Sequence, residues 1–148
     1  MTNSMKKMEE GKRSRRRVLV VEDEPSLRNL LDKFLSEHAC CVVAVTDGRS
    51  ALEYLNSGRA APDLILTDVS LPGMDGYDLV REVKRRHPEI MVVILSGLVE
   101  ETVRRNADPQ PDAILKKPIT LRELGDVVFG MLGMEGGDSG VKRSGEGV

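Results

Sequence analysis

Five polar side chains stand just beyond short apolar runs. Glu22 and Asp23 follow Val18–Val21, Asp68 follows Leu64–Leu66, Ser96 follows Met91–Leu95, and Lys117 follows Ala113–Leu115. A single Asp in such a place is ordinarily a helix cap. Four separate run ends that supply three carboxylates, a hydroxyl and an ammonium are harder to explain as packing. Carboxylates held together repel one another, and without a counter-ion one of them is pushed toward its protonated form. A hard divalent cation that prefers oxygen ligands removes the conflict, and Mg²⁺ is content with one or two carboxylates completed by water. Asp68 then has the character of a carboxylate nucleophile, able to take a phosphoryl group as an acyl phosphate. Such a transfer asks the protein mainly to position groups and to neutralise charge on the equatorial oxygens. Mg²⁺ and Lys117 supply that positive charge, and the Ser96 hydroxyl can donate a hydrogen bond.

The elements that must position these residues alternate along the chain. Val18–Val21, Cys41–Val45, Leu64–Leu66, Met91–Leu95 and Ala113–Leu115 read as buried parallel strands. A helical segment follows each one. In the first, Leu27, Leu30, Leu31, Phe34 and Leu35 form one apolar stripe, with Pro25 at the opening turn. The second starts near Asp47-Gly48 and runs through Ala51, Leu52 and Leu55. The third carries Leu79, Val80 and Val83, begins at an Asp75-Gly76 turn, and stops at Pro88. The fourth, around Val99 to Asn106, is short and weakly amphipathic, and Pro109 and Pro111 close it. The fifth opens at Thr120 with Glu123 three residues on, a capping box. Five β-α pairs point to an α/β, doubly wound, five-stranded parallel sheet with helices on both faces. Open sheets of this kind bind ligands outside the carboxyl ends of their strands, where all five polar residues fall.

Length and charge narrow the class. The 148 residues suffice for one domain of ordinary size. No apolar run approaches the roughly 20 residues that span a bilayer, so no membrane association is expected. The basic N-terminus lacks the apolar stretch of a secretory signal. Residues 1–17 hold seven basic and two acidic residues, net +5, against −2 for the whole chain. The expected organisation is a disordered basic leader over 1–16, a folded domain over 17–133, and a flexible Gly-rich tail over 134–148. Cys40 and Cys41 are adjacent in an apolar strand, where neighbours point to opposite faces. They read as two packed thiols suited to a reducing cytosol, which implies a cytoplasmic protein.

Four segments, in order, carry a resemblance to a known family. Val18-Leu-Val-Val-Glu-Asp-Glu-Pro25, Leu64-Ile-Leu-Thr-Asp-Val-Ser-Leu-Pro-Gly-Met-Asp-Gly76, Val92-Val-Ile-Leu-Ser-Gly97 and Lys117-Pro118 resemble the receiver domain of two-component response regulators. The likeness covers about residues 16–133. It implies a (βα)5 flavodoxin-like sheet of strand order 2-1-3-4-5. It makes Asp68 the phosphoacceptor, Asp23 a direct Mg²⁺ ligand, Glu22 its partner through water, and the Ser70 backbone carbonyl a further ligand. Ser96 becomes the switch hydroxyl that turns toward the phosphoryl group. Lys117, rather than Lys116, pairs with that group, and a cis bond to Pro118 holds it. The implied donor is a histidine kinase or a histidine phosphotransfer protein, and the output is a change in protein–protein contacts. Such a domain catalyses only its own phosphorylation and dephosphorylation.

The sequence departs from the family in two places. An aromatic residue often lies three positions before the lysine, and here that residue is Ile114, with neither ring nor hydroxyl. Asp108-Pro109-Gln110-Pro111 replaces a common Gly-Ala-type turn, so the face formed by the last two helices and the last strand is expected to move differently. No output domain is recognisable after Leu132, and no helix-turn-helix suggests DNA binding. The chain therefore reads as a stand-alone receiver, or as the C-terminal receiver of a hybrid histidine kinase. A Mg²⁺-dependent phosphohydrolase is the enzyme-class alternative. A dehalogenase-type enzyme would want a second Asp two residues after its nucleophile, where Ser70 stands. His38 and His87 sit at helix ends and read as surface histidines rather than phosphoryl donors, and Thr67 is expected to bond locally.

Overall fold

The computed structural model describes residues 15–38, 40–97 and 108–134. Five parallel strands run β1 (Arg16–Val21), β2 (Cys40–Val45), β3 (Leu64–Asp68), β4 (Met91–Ser96) and β5 (Ala113–Lys116). The sheet has the order β2-β1-β3-β4-β5, as the family likeness implies. Helices α1 (Pro25–Glu37), α2 (Gly48–Leu55), α3 (Gly76–Arg86) and α4 (Leu121–Met131) connect or follow the strands. The helix expected around Val99 to Asn106 lies outside the described residues.

Strand alternation sorts the apolar residues into two cores. Val18, Val20, Leu64, Leu66, Val93 and Leu95 face α1 and α4, where Leu31, Leu35, Leu124, Val128 and Phe129 pack on them. Leu19, Val21, Ile65, Val92 and Ile94 face the other way, against Ala51 of α2 and Leu79, Val80 and Val83 of α3. With both faces covered, the central strands read as unbroken apolar runs rather than alternating ones.

Each helix start is satisfied by a side chain. The Glu24 carboxylate accepts from Leu27 N–H at 2.8 Å, with Pro25 in the opening turn, and Asp47 accepts from Ser50 N–H at 2.8 Å. Thr120 and Glu123 form the capping box that their spacing suggests, and Asp75 with Asp78 forms another. His38 caps the end of α1. Its ring stacks on Phe129 at 5.3 Å and lies 4.6 Å from Phe34. Cys40 is buried and Cys41 half-buried, both as free thiols.

Every strand reaches further at one end than its apolar run indicates, β2 back to Cys40 and β5 on to Lys116 by one residue each. β1 opens at Arg16, which pairs in register with Cys40 and whose Nε donates to the Leu132 carbonyl at the end of α4, 3.0 Å away. β3 and β4 extend to Asp68 and Ser96, so these two are the last residues of their strands rather than the first after them.

Candidate functional site

The acidic part of the site is built on the turn between β1 and α1. Glu22 stays in the ladder one residue past β1, donating its N–H to the Val45 carbonyl at 3.0 Å. Its side chain is 2% exposed. Glu22 Oε2 accepts from Glu24 N–H at 3.1 Å, whereas Oε1 is buried and accepts no hydrogen bond among the described residues. Burial raises the Glu22 carboxyl above its ordinary value, and the negative charges of Asp68 and Asp23 add to the rise. The Glu24 N–H and the Lys117 ammonium work in the opposite direction. Asp23, next along, is exposed. Arg28, in the first turns of α1, donates from Nη1 to the Glu22 carbonyl at 3.1 Å and to the Asp23 carbonyl at 3.4 Å.

Asp68 closes the cluster from β3. Its side chain is nearly buried, and Lys117 Nζ approaches its Oδ1 to 2.9 Å. The backbone around it is fixed tightly. Val69 N–H donates to Leu95 O at 3.1 Å, and Gly76 N–H donates to Val69 O at 2.9 Å. Gly76 brings the start of α3 so near that a Cβ there would lie 2.6 Å from the Asp68 carbonyl oxygen. The intervening loop turns at Gly73, whose φ of +80° favours glycine. Thr67, fully buried, donates its hydroxyl to Asp68 O at 3.0 Å, the local bonding expected of it.

Glu22, Asp23 and Asp68 each offer a carboxylate oxygen within 4.8 Å of the other two. The unpartnered Glu22 Oε1 and the hard, all-oxygen donor set fit a divalent cation. The cluster can therefore hold a metal ion.

Two expected residues stand differently. Ser96 is fully buried at the end of β4, next to β3, but its hydroxyl donates to the Gly97 carbonyl at 2.7 Å. It is turned onto its own backbone. Ser70 lies exposed in the loop two residues after Asp68. Lys117 is placed by β5 and its cis bond to Pro118, while Lys116 is exposed within the strand. Ile114 is half-buried in β5, in register with Ile94. Beyond Lys117 a groove of about 470 Å³, lined by Leu27, Leu30, Leu31, Pro118, Ile119 and Leu121, separates α1 from the start of α4.

Neither Gly76's close approach nor Arg28's contacts had a sequence signal of their own. Both act through backbone atoms, which no residue pattern reports.

The comparisons agree with this geometry. The family model for the response regulator receiver domain matches residues 18–129. A sensor kinase, CckA, from Brucella abortus is 34% identical over 78% of this chain and 12% of its own length. The transcriptional regulatory protein BaeR from Escherichia coli is 37% identical over 73% of this chain and 44% of its own. The chain thus spans less than half the length of these relatives. Among solved structures, the signal receiver domain of a histidine kinase from Syntrophus aciditrophicus superposes with a TM-score of 0.72. It is 30% identical and covers 88% of this chain and 98% of that one. The receiver domain of NtrX from Brucella abortus gives 0.65 at 33% identity, covering 80% and 99%. A parallel sheet in this order, with an acidic trio and a lysine meeting at the carboxyl ends of its strands, and a family model spanning three quarters of the sequence, make one assignment: the chain belongs to the response regulator receiver domain family of two-component signalling.

Proposed function

We propose that Asp68 is the phosphoacceptor of this domain and that Mg²⁺ is its cofactor, held by Asp23 and Asp68 directly, by Glu22 through water, and by the Ser70 backbone carbonyl. The observation that carries this reading is the meeting of three carboxylates and Lys117 at one rim. A carboxylate oxygen of Asp68 attacks phosphorus, a new O–P bond forms, and the P–N bond of a phosphohistidine donor breaks. When bound, Mg²⁺ supplies positive charge against the phosphoryl oxygens. Lys117 exchanges its Asp68 oxygen for a phosphoryl oxygen, and the Ser96 hydroxyl leaves the Gly97 carbonyl to donate to another. Switching of this kind alters protein contacts at the surface beyond β4 and β5.

The donor is a histidine kinase or a histidine phosphotransfer protein of the cytoplasm. The apolar groove beside Lys117 gives such a partner a surface next to the reactive carboxylate. The sensor-kinase relative and the histidine-kinase receiver structure favour a second reading, in which this domain serves within a hybrid kinase. Ser70, in place of a second Asp, argues against sustained phosphoester hydrolysis. The domain acts only on its own phosphorylation and dephosphorylation.

Incubation with acetyl phosphate and Mg²⁺ should give a hydroxylamine-sensitive label that Asp68→Asn abolishes. Label that persists in that variant would contradict the assignment, as would steady turnover of a generic phosphoester.

A further inference from the structure

Arg28 belongs to no part of the reaction described so far, yet its guanidinium is committed to the acidic turn. One nitrogen, Nη1, reaches the carbonyl oxygens of both Glu22 and Asp23. Its own backbone N–H donates to the Glu24 carbonyl at 2.9 Å, which ties it to the helix that begins where the turn ends. Together with the Glu24 N–H on Glu22 Oε2, these bonds close the segment 22–24 into a small ring anchored on α1. The carboxylates of that segment are two of the three that converge on the cation-binding point.

We propose that Arg28 is a positioning residue for the metal site, acting through the Glu22 and Asp23 backbone to hold their carboxylates toward Asp68. The inference rests on the reading of this cluster as a Mg²⁺-dependent phosphoacceptor site. It has a consequence of definite sign. A guanidinium bonded to the turn that carries two of the carboxylates, acting through charge alone, opposes the binding of a divalent cation, and its removal would tighten binding. Acting as a clamp, it favours binding by keeping ligands in place, and its removal loosens the site. Outer partners of this kind are commonly worth about 10- to 100-fold in metal affinity.

Calorimetric titration of the full chain with MgCl₂ separates the two effects, for wild type, Arg28→Ala, Arg28→Gln and Arg28→Lys. Arg28→Ala is expected to weaken Mg²⁺ binding about tenfold, at the lower end for an outer partner. Arg28→Gln, which keeps much of the stem but no charge, should weaken it too, and Arg28→Lys should recover part of the loss. The Mg²⁺ concentration for half-maximal acetyl phosphate labelling should rise in step, with the rate at saturating Mg²⁺ little changed. Melting curves in EDTA report the fold separately, and Arg28→Gln carries the test if the alanine variant does not fold. Affinity that is unchanged or tighter in the neutral variants, in a wild-type background that binds Mg²⁺ and takes label, overturns the clamp alone. A wild-type chain that does neither overturns the phosphoacceptor reading and the clamp with it.

Discussion

Lys117 Nζ lies 2.9 Å from Asp68 Oδ1 although strand β4 separates the strands that carry them. The lysine follows β5, and its side chain spans the end of β4 to reach the reactive carboxylate. In the proposed transfer, an ammonium held here stands beside the carboxylate that receives the phosphoryl group. Lys117→Met should therefore slow labelling by acetyl phosphate by about 10²-fold, the usual cost of removing one oriented donor. Lys116→Met, at an exposed position one residue earlier, should change the rate little. Equal losses in the two variants would remove Lys117 from its role.

Gly76 sits where the start of α3 presses on the backbone of Asp68. Gly76→Ala adds a carbon 2.6 Å from the Asp68 carbonyl oxygen, so the strand end must move. We expect a stability loss of about 1–3 kcal/mol in urea unfolding, typical of overpacking, together with slower labelling. Gly73→Ala is the control. Its Cβ meets nothing within 4 Å, but φ is +80°, so it should cost about 1 kcal/mol for the left-handed backbone. Its labelling rate should stay close to wild type. Normal labelling in Gly76→Ala would show that the rim tolerates the shift.

Glu22 gives the metal-free domain a pH signature. Its carboxyl is raised above the ordinary 4.5, chiefly by burial, so the folded state binds this proton more tightly than the unfolded chain does. The contribution to stability is complete below pH 4.5 and is lost as pH rises through the higher folded value. Glu22→Gln should accordingly raise the melting temperature in EDTA at neutral pH, and the gain should shrink toward zero as pH falls below 4.5. Mg²⁺ should stabilise wild type more than the variant, since an amide does not balance a cation. A variant less stable than wild type in EDTA at pH 7 would contradict the burial argument.

The paired cysteines should react unequally. The Cys40 thiol is pushed up to about 11, first by burial and then by the neighbouring Cys41. Cys41 is half-buried on the edge strand β2. Iodoacetamide at neutral pH should modify Cys41 well before Cys40, because the thiolate is the reactive form. Mass spectrometry of the native protein after partial reaction distinguishes them, and prior loss of Cys40 would place it outside the core.

Much of this molecule was legible before its structure, and the reasons are specific. Parallel strands covered on both faces leave apolar runs, and those runs located all five strands together with the polar residues at their ends. Their limits were less clear. Asp68 and Ser96 still pair in the ladder, with Leu95 and Lys116 as register partners, and polarity hides such residues from a hydrophobic pattern. The Thr120–Glu123 box follows a recognisable spacing, whereas the Asp75–Asp78 box uses an aspartate where glutamate is usual. The likeness makes Ser96 a hydroxyl that turns toward the phosphoryl group, and its bond to the Gly97 carbonyl is one position of that rotation, which no residue pattern encodes. Gly76 reads from the sequence as a turn residue. Its tighter constraint comes from a strand eight residues earlier.

The bond from Arg16 to the Leu132 carbonyl joins the opening of β1 to the close of α4 at the amino-terminal ends of the strands. The three clustered carboxylates lie at the opposite ends. The described chain thus enters at residue 15 and leaves at residue 134 at one pole, on the far side from the chemistry. A neighbouring module attached there can be large without shading the rim from an incoming donor.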